Sequence, residues 1–239
     1  MDALWPSIVQ WLHTLGLHVD AGVARDVADG MAQATQKLDM PGLVALAAAL
    51  GWASGVRLYA VVFMVGAMGW AGWLALPQGL HVLQSPAVLA ISGFMLVVEF
   101  FADKVPWIDS AWDAVHAVIR VPAGALLAAG VFGADSATMG VVAGLMGGSL
   151  AATSMATKMT TRAAVNTSPE PFSNWFLSFF EDGLVVGVVW LATQHPLAFG
   201  VALVFMLLVS VILLVVLFKF LRAVLRRVSS LFSGPAKVV

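Results

Sequence analysis

The chain of 239 residues contains no cysteine, which excludes disulfides, a thiolate nucleophile and any cysteine-ligated metal. Zero cysteines fit either redox compartment, so location has to be read from other features. Charge is also scarce: Asp, Glu, Lys and Arg make up 10% of the residues against 61% hydrophobic, where soluble domains carry roughly 25% charged residues. This composition is that of an integral membrane protein. The net charge of -1 offers no field to draw nucleic acid, and the basic residues are too scattered to follow a phosphate backbone. No HExxH, GxSxG or P-loop pattern occurs, which points away from an enzyme. The opening stretch, MDALWPSIVQWLHTLGLHVD, lacks the basic start and unbroken apolar core of a signal peptide and is expected to be retained.

What is present is a set of charge-free runs. None of Asp, Glu, Lys or Arg occurs from Leu58 to Val98, from Ser136 to Thr157, or from Gly183 to Phe218. A membrane helix needs about 20 apolar residues, so the first and third runs each hold parts of two spans. Pro77 and Gly79 divide the first, and the TQHP at Thr193 to Pro196 divides the third. With a weaker segment after Pro106, six spans are predicted, near 42–72, 86–102, 107–133, 137–158, 172–192 and 197–218. The fold class is therefore all-α, a polytopic helical bundle. Trp70, Trp73, Trp107 and Trp112 fall near the predicted interfaces and read as belt anchors.

Basic residues then orient the bundle. With both termini inside, Arg25, Lys37, Lys104, Lys158, Arg162, Lys219, Arg222, Arg226, Arg227 and Lys237 all fall on the inner side, 10 of the 12, as expected of cytoplasmic loops. Arg57 and Arg120 lie within spans. The predicted organisation is amphipathic interfacial helices over 1–40, a transmembrane domain over 41–222 and a basic cytoplasmic tail over 223–239.

The stretches 85-SPAVLAISGFMLVVEFFADK-104 and 168-SPEPFSNWFLSFFEDGLVVG-187 both begin Ser-Pro and reach a carboxylate fourteen residues later, Glu99 and Asp182. The span before each carries small residues at helical spacing: Ala47, Gly51 and Gly55 in one half, Gly140, Gly144 and Gly148 in the other. Small residues let helices approach closely in lipid. Three spans per half would make the second copy inverted, a 3+3 arrangement over about 42–133 and 137–220, as in secondary transporters with sites near the midplane. The same glycine-rich faces also suit a homodimer.

Fourteen helical residues rise roughly 21 Å, which carries Glu99 and Asp182 past the centre of the bilayer. An ionised acid facing lipid costs several kcal/mol, so these acids are expected to face the bundle interior, where they are protonated, paired or hydrated. Asp109, Asp113, His116 and Arg120 follow Pro106 at i, i+4, i+7 and i+11, one face of a helix. Such a stripe lines a polar path, binds a cation, or solvates a first turn while Arg120 pairs with Glu99. Arg57 sits mid-span among small residues, suited to a carboxylate or a phosphate. The joining segment 158-KMTTRAAVNTSPEPFSN-174 offers Lys158, Arg162, Asn166, Ser168 and Asn174, readable as a helix N-terminal anion site or as an ordinary cytoplasmic loop.

At EFFADKVPWIDSAWDAVHAVIRVPAGALLAAG and RAAVNTSPEPFSNWFLSFFEDG the chain resembles a bacterial membrane family known as domain of unknown function 4126, over about residues 42 to 196. The resemblance implies a compact polytopic protein of the inner membrane and carries over no activity.

The residues themselves lead to a small transporter or channel. Glu99, Asp103, Asp109, Asp113, His116, Glu181 and Asp182 would bind a cation or carry protons, while Arg57, Arg120, Lys158 and Arg162 balance them. No cofactor is called for beyond a bound cation, the metal being undetermined, and the expected partners are membrane lipids and a small ion or solute. Alternatives are a carrier for anionic lipid phosphates that uses the four cations as a clamp, a metal-dependent enzyme on a lipid headgroup, and a scaffold whose acids form internal ion pairs.

Overall fold

A computed structural model describes residues 38–133, 136–167 and 171–232. The amphipathic helices expected over the first forty residues therefore lie almost wholly outside the described residues, as does Ser168. Six α-helices follow in order: α1 (Met40–Trp70), α2 (Pro86–Ala102), α3 (Pro106–Phe132), α4 (Ala137–Val165), α5 (Pro171–Gln194) and α6 (Pro196–Phe232), with one short 3-10 helix at Gln78–Gln84 before α2. Among the described residues there is no strand. Five of these helices are long and apolar enough to cross a membrane, and the 3-10 helix with α2, bent by 67° at their junction, makes a sixth if the pair crosses as one span.

The start signals are local. Asp39 caps α1 by accepting from the Gly42 amide at 2.9 Å, Ser85 caps α2 through the Val88 amide at 3.4 Å, and Ser136 caps α4 through the Met139 amide at 3.3 Å. Pro86 and Pro106 then occupy first-turn positions where a missing N–H costs nothing.

Two ends differ from expectation. Helix α4 does not stop near Lys158 but runs on to Val165, so Lys158 and Arg162 belong to a helix rather than to a loop. Likewise α6 passes Arg222 without a break and continues to Phe232, so the basic stretch begins as helix.

Helix α1 is the hub. In its most apolar 18-residue window 72% of residues are buried, against 6% in α6, because α1 is built from Ala and Gly and its neighbours close directly on its backbone. A Cβ on Gly51 would meet the Gly147 backbone of α4, and one on Gly147 would meet Ala128 and the Gly124 carbonyl of α3. Gly144 and Gly148 likewise face Ala125 of α3. The glycine faces that suited a dimer are thus occupied inside one chain, where close backbone approach gains dispersion contacts.

Near its middle α1 is broken. Arg57 has φ -147° and ψ 85°, outside the helical region. The preceding turn is loosened by Ser54, whose hydroxyl donates back to the Leu50 carbonyl. Two α4 side chains take carbonyls beside the break: Ser154 Oγ donates to Trp52 at 2.6 Å and Lys158 Nζ donates to Val56 at 3.2 Å. A break at membrane depth is tolerated where protein groups satisfy the backbone in this way.

Candidate functional site

The break aims Arg57 into a cluster that gathers the charged residues of five helices and of the α2–α3 connection. Arg57 Nη2 lies 2.6 Å from Asp103 and 3.7 Å from Glu181, and its Nε lies 2.9 Å from Asp182. Arg120 of α3 holds Glu99 at 2.5 Å and Asp113 at 2.8 Å. Lys158 sits between the two groups, 3.2 Å from Asp113, 3.6 Å from Glu181 and 4.0 Å from both Glu99 and Asp103. Arg162, one turn further along α4, grips Glu181 at 2.8 Å and reaches Asp103 and Asp109 at 3.5 Å each.

All ten residues except Asp182 are almost fully buried, whereas the Asp182 side chain is 31% exposed. Counted by charge, the cations Arg57, Arg120, Lys158 and Arg162 face Glu99, Asp103, Asp109, Asp113, Glu181 and Asp182. Four against six leaves two negative charges in a mostly buried site. Glu99 Oε2, Asp103 Oδ1, Asp109 Oδ1 and Asp113 Oδ2 are buried without a hydrogen-bond partner, as are Nε and Nη1 of Arg57, an arrangement that costs free energy.

The acids are not equally held. Asp103, in the connection between α2 and α3, would have its carboxyl raised by burial, but Lys158, Arg57 and Arg162 outweigh that and hold it below its ordinary value. Asp109 and Asp182 each have one cation within reach, Arg162 at 3.5 Å and Arg57 at 2.9 Å. They stand at the two ends of an unbroken series, Asp109 to Arg162 to Glu181 to Arg57 to Asp182. Lys104 stands apart, its Nζ 2.9 Å above the centre of the Phe100 ring and bonded to the Phe100 carbonyl. Burial and then the neighbouring Arg57 lower its pKa.

Of the expected site residues, His116 leaves the group. The α3 stripe points Asp109, Asp113 and Arg120 into the cluster, but the His116 ring contacts the Trp112 carbonyl at 2.8 Å and the Tyr59 hydroxyl at 3.1 Å. Trp112, expected as an interfacial anchor, stacks on that ring at 4.1 Å, whereas Trp70 and Trp73 are exposed as a belt requires. Asn174, expected in a loop, is a buried residue of α5 that donates to Asn166 at 2.8 Å. Asn166 caps the end of α4 and donates to Asp109 at 3.4 Å and to Ser110 at 3.1 Å. Among the described residues no group of three or more His, Asp or Glu side chains gathers as a metal site would require.

Sequence reasoning missed Ser178, whose hydroxyl accepts from Arg57 Nη2 at 2.8 Å. Its signal was available: Asn174, Ser178, Glu181 and Asp182 are spaced as one polar face of a helix. The family model described as Domain of unknown function (DUF4126) matches residues 44–216. No curated protein and no solved structure matches the chain.

Proposed function

Since the chain belongs to the domain of unknown function 4126 family, a membership that brings no activity with it, we propose from its buried charges that it is a membrane transporter carrying protons or small cations. The observation behind this reading is the excess of six carboxylates over four cations in one buried cluster. Two uncompensated negative charges are costly in a low-dielectric interior, so the resting cluster takes up two protons or an equivalent cation charge. Asp109 and Asp182, held by a single cation each, are the carboxylates that take them. Between them the ion pairs can re-form stepwise, because Arg162 and Arg57 both reach Glu181 and Asp103. A charge gained at one end is thereby relayed to the other without leaving any guanidinium unpaired.

The lipid-phosphate reading fits less well. Each of Arg57, Arg120, Lys158 and Arg162 already faces at least two carboxylates, and a phosphate entering there would meet net negative charge. We place the protein in the inner membrane with both termini in the cytoplasm. Lys219, Arg222, Arg226 and Arg227 at the end of α6 support this orientation, while Lys158 and Arg162, being buried, no longer count toward it.

The deciding experiment is proton flux into liposomes containing the purified protein, followed with an internal pH dye. Wild type is expected to dissipate an imposed pH gradient, and Asp109→Asn to slow this at least about tenfold while keeping its melting temperature. An inactive wild type, with charge-neutralised variants that only lose stability, would assign the cluster to structure and favour the scaffold.

A further inference from the structure

A groove of about 740 Å³ runs between α1, α2 and α5 on the flank of the bundle. Its volume lies in the range of small-molecule sites. Phe63, Trp70, Trp73, Phe100 and Phe101 line it, and Asp182 is its one ionisable lining residue. Phe100 of α2 meets Phe179 of α5 edge-to-face with ring centres 5.9 Å apart, about one turn before Asp182. The α1 side of the groove runs from Ala60 to Trp70, with Trp73 just beyond, and both tryptophans are exposed.

We propose that this groove binds a hydrophobic organic monocation, an aryl- or alkyl-substituted ammonium or phosphonium, with its charge at Asp182 and its substituents against the aromatic wall. The proposal rests on the reading of the charge cluster given above and names the solute exchanged for its protons. Charge selects the occupant. The groove reaches a partly exposed carboxylate, Asp182, and the cluster behind it, with five carboxylates to four cations, carries one surplus negative charge. Its aromatic walls attract cations, the Phe100 ring already carrying Lys104. An anionic or neutral lipid tail would make no charge contact with Asp182, whose side chain is 31% exposed. Arg57 is no obstacle, because on releasing Asp182 it keeps Asp103 at 2.6 Å and Glu181 at 3.7 Å. One cation entering therefore displaces one proton from Asp182, and charge balances. On the other side of α5 a second cavity of about 280 Å³ meets Lys158 as well as Glu181, and the ammonium of Lys158 makes it the poorer site for a cation.

The test uses two probes of nearly equal shape and opposite charge, tetraphenylphosphonium and tetraphenylborate, in equilibrium dialysis against the purified full chain in lipid nanodiscs. Saturable binding of the phosphonium and none of the borate is expected. Asp182→Asn should weaken phosphonium binding at least about tenfold. Ala67→Phe, which fills the groove at a lining position away from the charges, should do the same. Equal binding of both probes, or phosphonium binding untouched by both substitutions, would overturn the proposal. The two readings fail separately: saturable, substitution-sensitive binding with no proton flux keeps the groove and removes the relay, whereas proton flux without phosphonium binding does the reverse.

Discussion

Arg120 is held from two sides, by Glu99 at 2.5 Å and Asp113 at 2.8 Å, with all three side chains buried. Removing such a cation strands two buried acids, and breaking a buried pair typically costs about 3–5 kcal/mol. Arg120→Met is therefore expected to lower the melting temperature of the detergent-solubilised protein far more than Asp109→Asn, whose acid has a single cation at 3.5 Å and the Asn166 amide at 3.4 Å. Similar losses for the two variants, in a scan by tryptophan fluorescence, would contradict the ranking of the carboxylates. Asp103 supplies a pH test with a definite sign. Its folded-state pKa lies below the ordinary 3.8, so its contribution to stability is complete above that value and is lost as pH falls through the lower folded one. Wild type and Asp103→Asn should accordingly differ in melting temperature by a constant amount from pH 7 to 5 and converge only in stronger acid. Convergence already near pH 6 would show that the carboxyl is not held down by its three cations.

At the scale of single helices, glycines separate into two kinds that composition alone does not distinguish. In α1 and α4, Gly51 and Gly147 are pressed against neighbouring backbone, while in α5 a Cβ on Gly183 or Gly187 would meet nothing within 4 Å. Gly51→Leu should thus destabilise by about 1–3 kcal/mol or more through overpacking. Gly187→Ala should be neutral or stabilising by up to about 1 kcal/mol, since it removes a flexible residue from a helix interior. Comparing the two melting temperatures tests the packing, and a harmless Gly51→Leu would mean that α1 does not meet α4 as described. The break at Arg57 belongs to this scale too. Ser54, Gly55 and the Lys158 side chain together make a non-helical residue tolerable there, and the break turns a mid-span arginine toward three acids.

For the molecule as a whole, the charge cluster joins the middle of α1 at Arg57 to the last turn of α2 at Glu99, the connection after it at Asp103, and residues of α3, α4 and α5. The absence of cysteine makes the orientation directly testable by single-cysteine labelling. In intact cells, Gln78→Cys, exposed between α1 and α2, is expected to react with a membrane-impermeant maleimide, while Ala223→Cys reacts only after the membrane is opened. The reverse pattern would overturn the orientation proposed above.

Sequence alone determined the helical class, a bundle of five to six candidate spans and most of the helix ends, because these follow from charge-free length and from caps one turn away, such as Ser85 with Pro86. It also singled out Glu99, Asp182 and Arg57, since a charge inside a span stands out against lipid. Pairing was beyond its reach: Arg57 and Asp182 are 125 positions apart, and their contact depends on a break in α1 that no single residue encodes. Lys158 and Arg162 looked like loop residues because basic side chains near a span's end satisfy both a cytoplasmic loop and a helix that runs on to bury them. Only the packing of α4 on α1 decides between these, through close approach at Gly51 and Gly147. The surplus of two acids is likewise a property of the assembled cluster, because it counts which charges share one low-dielectric volume and not which occur in the chain.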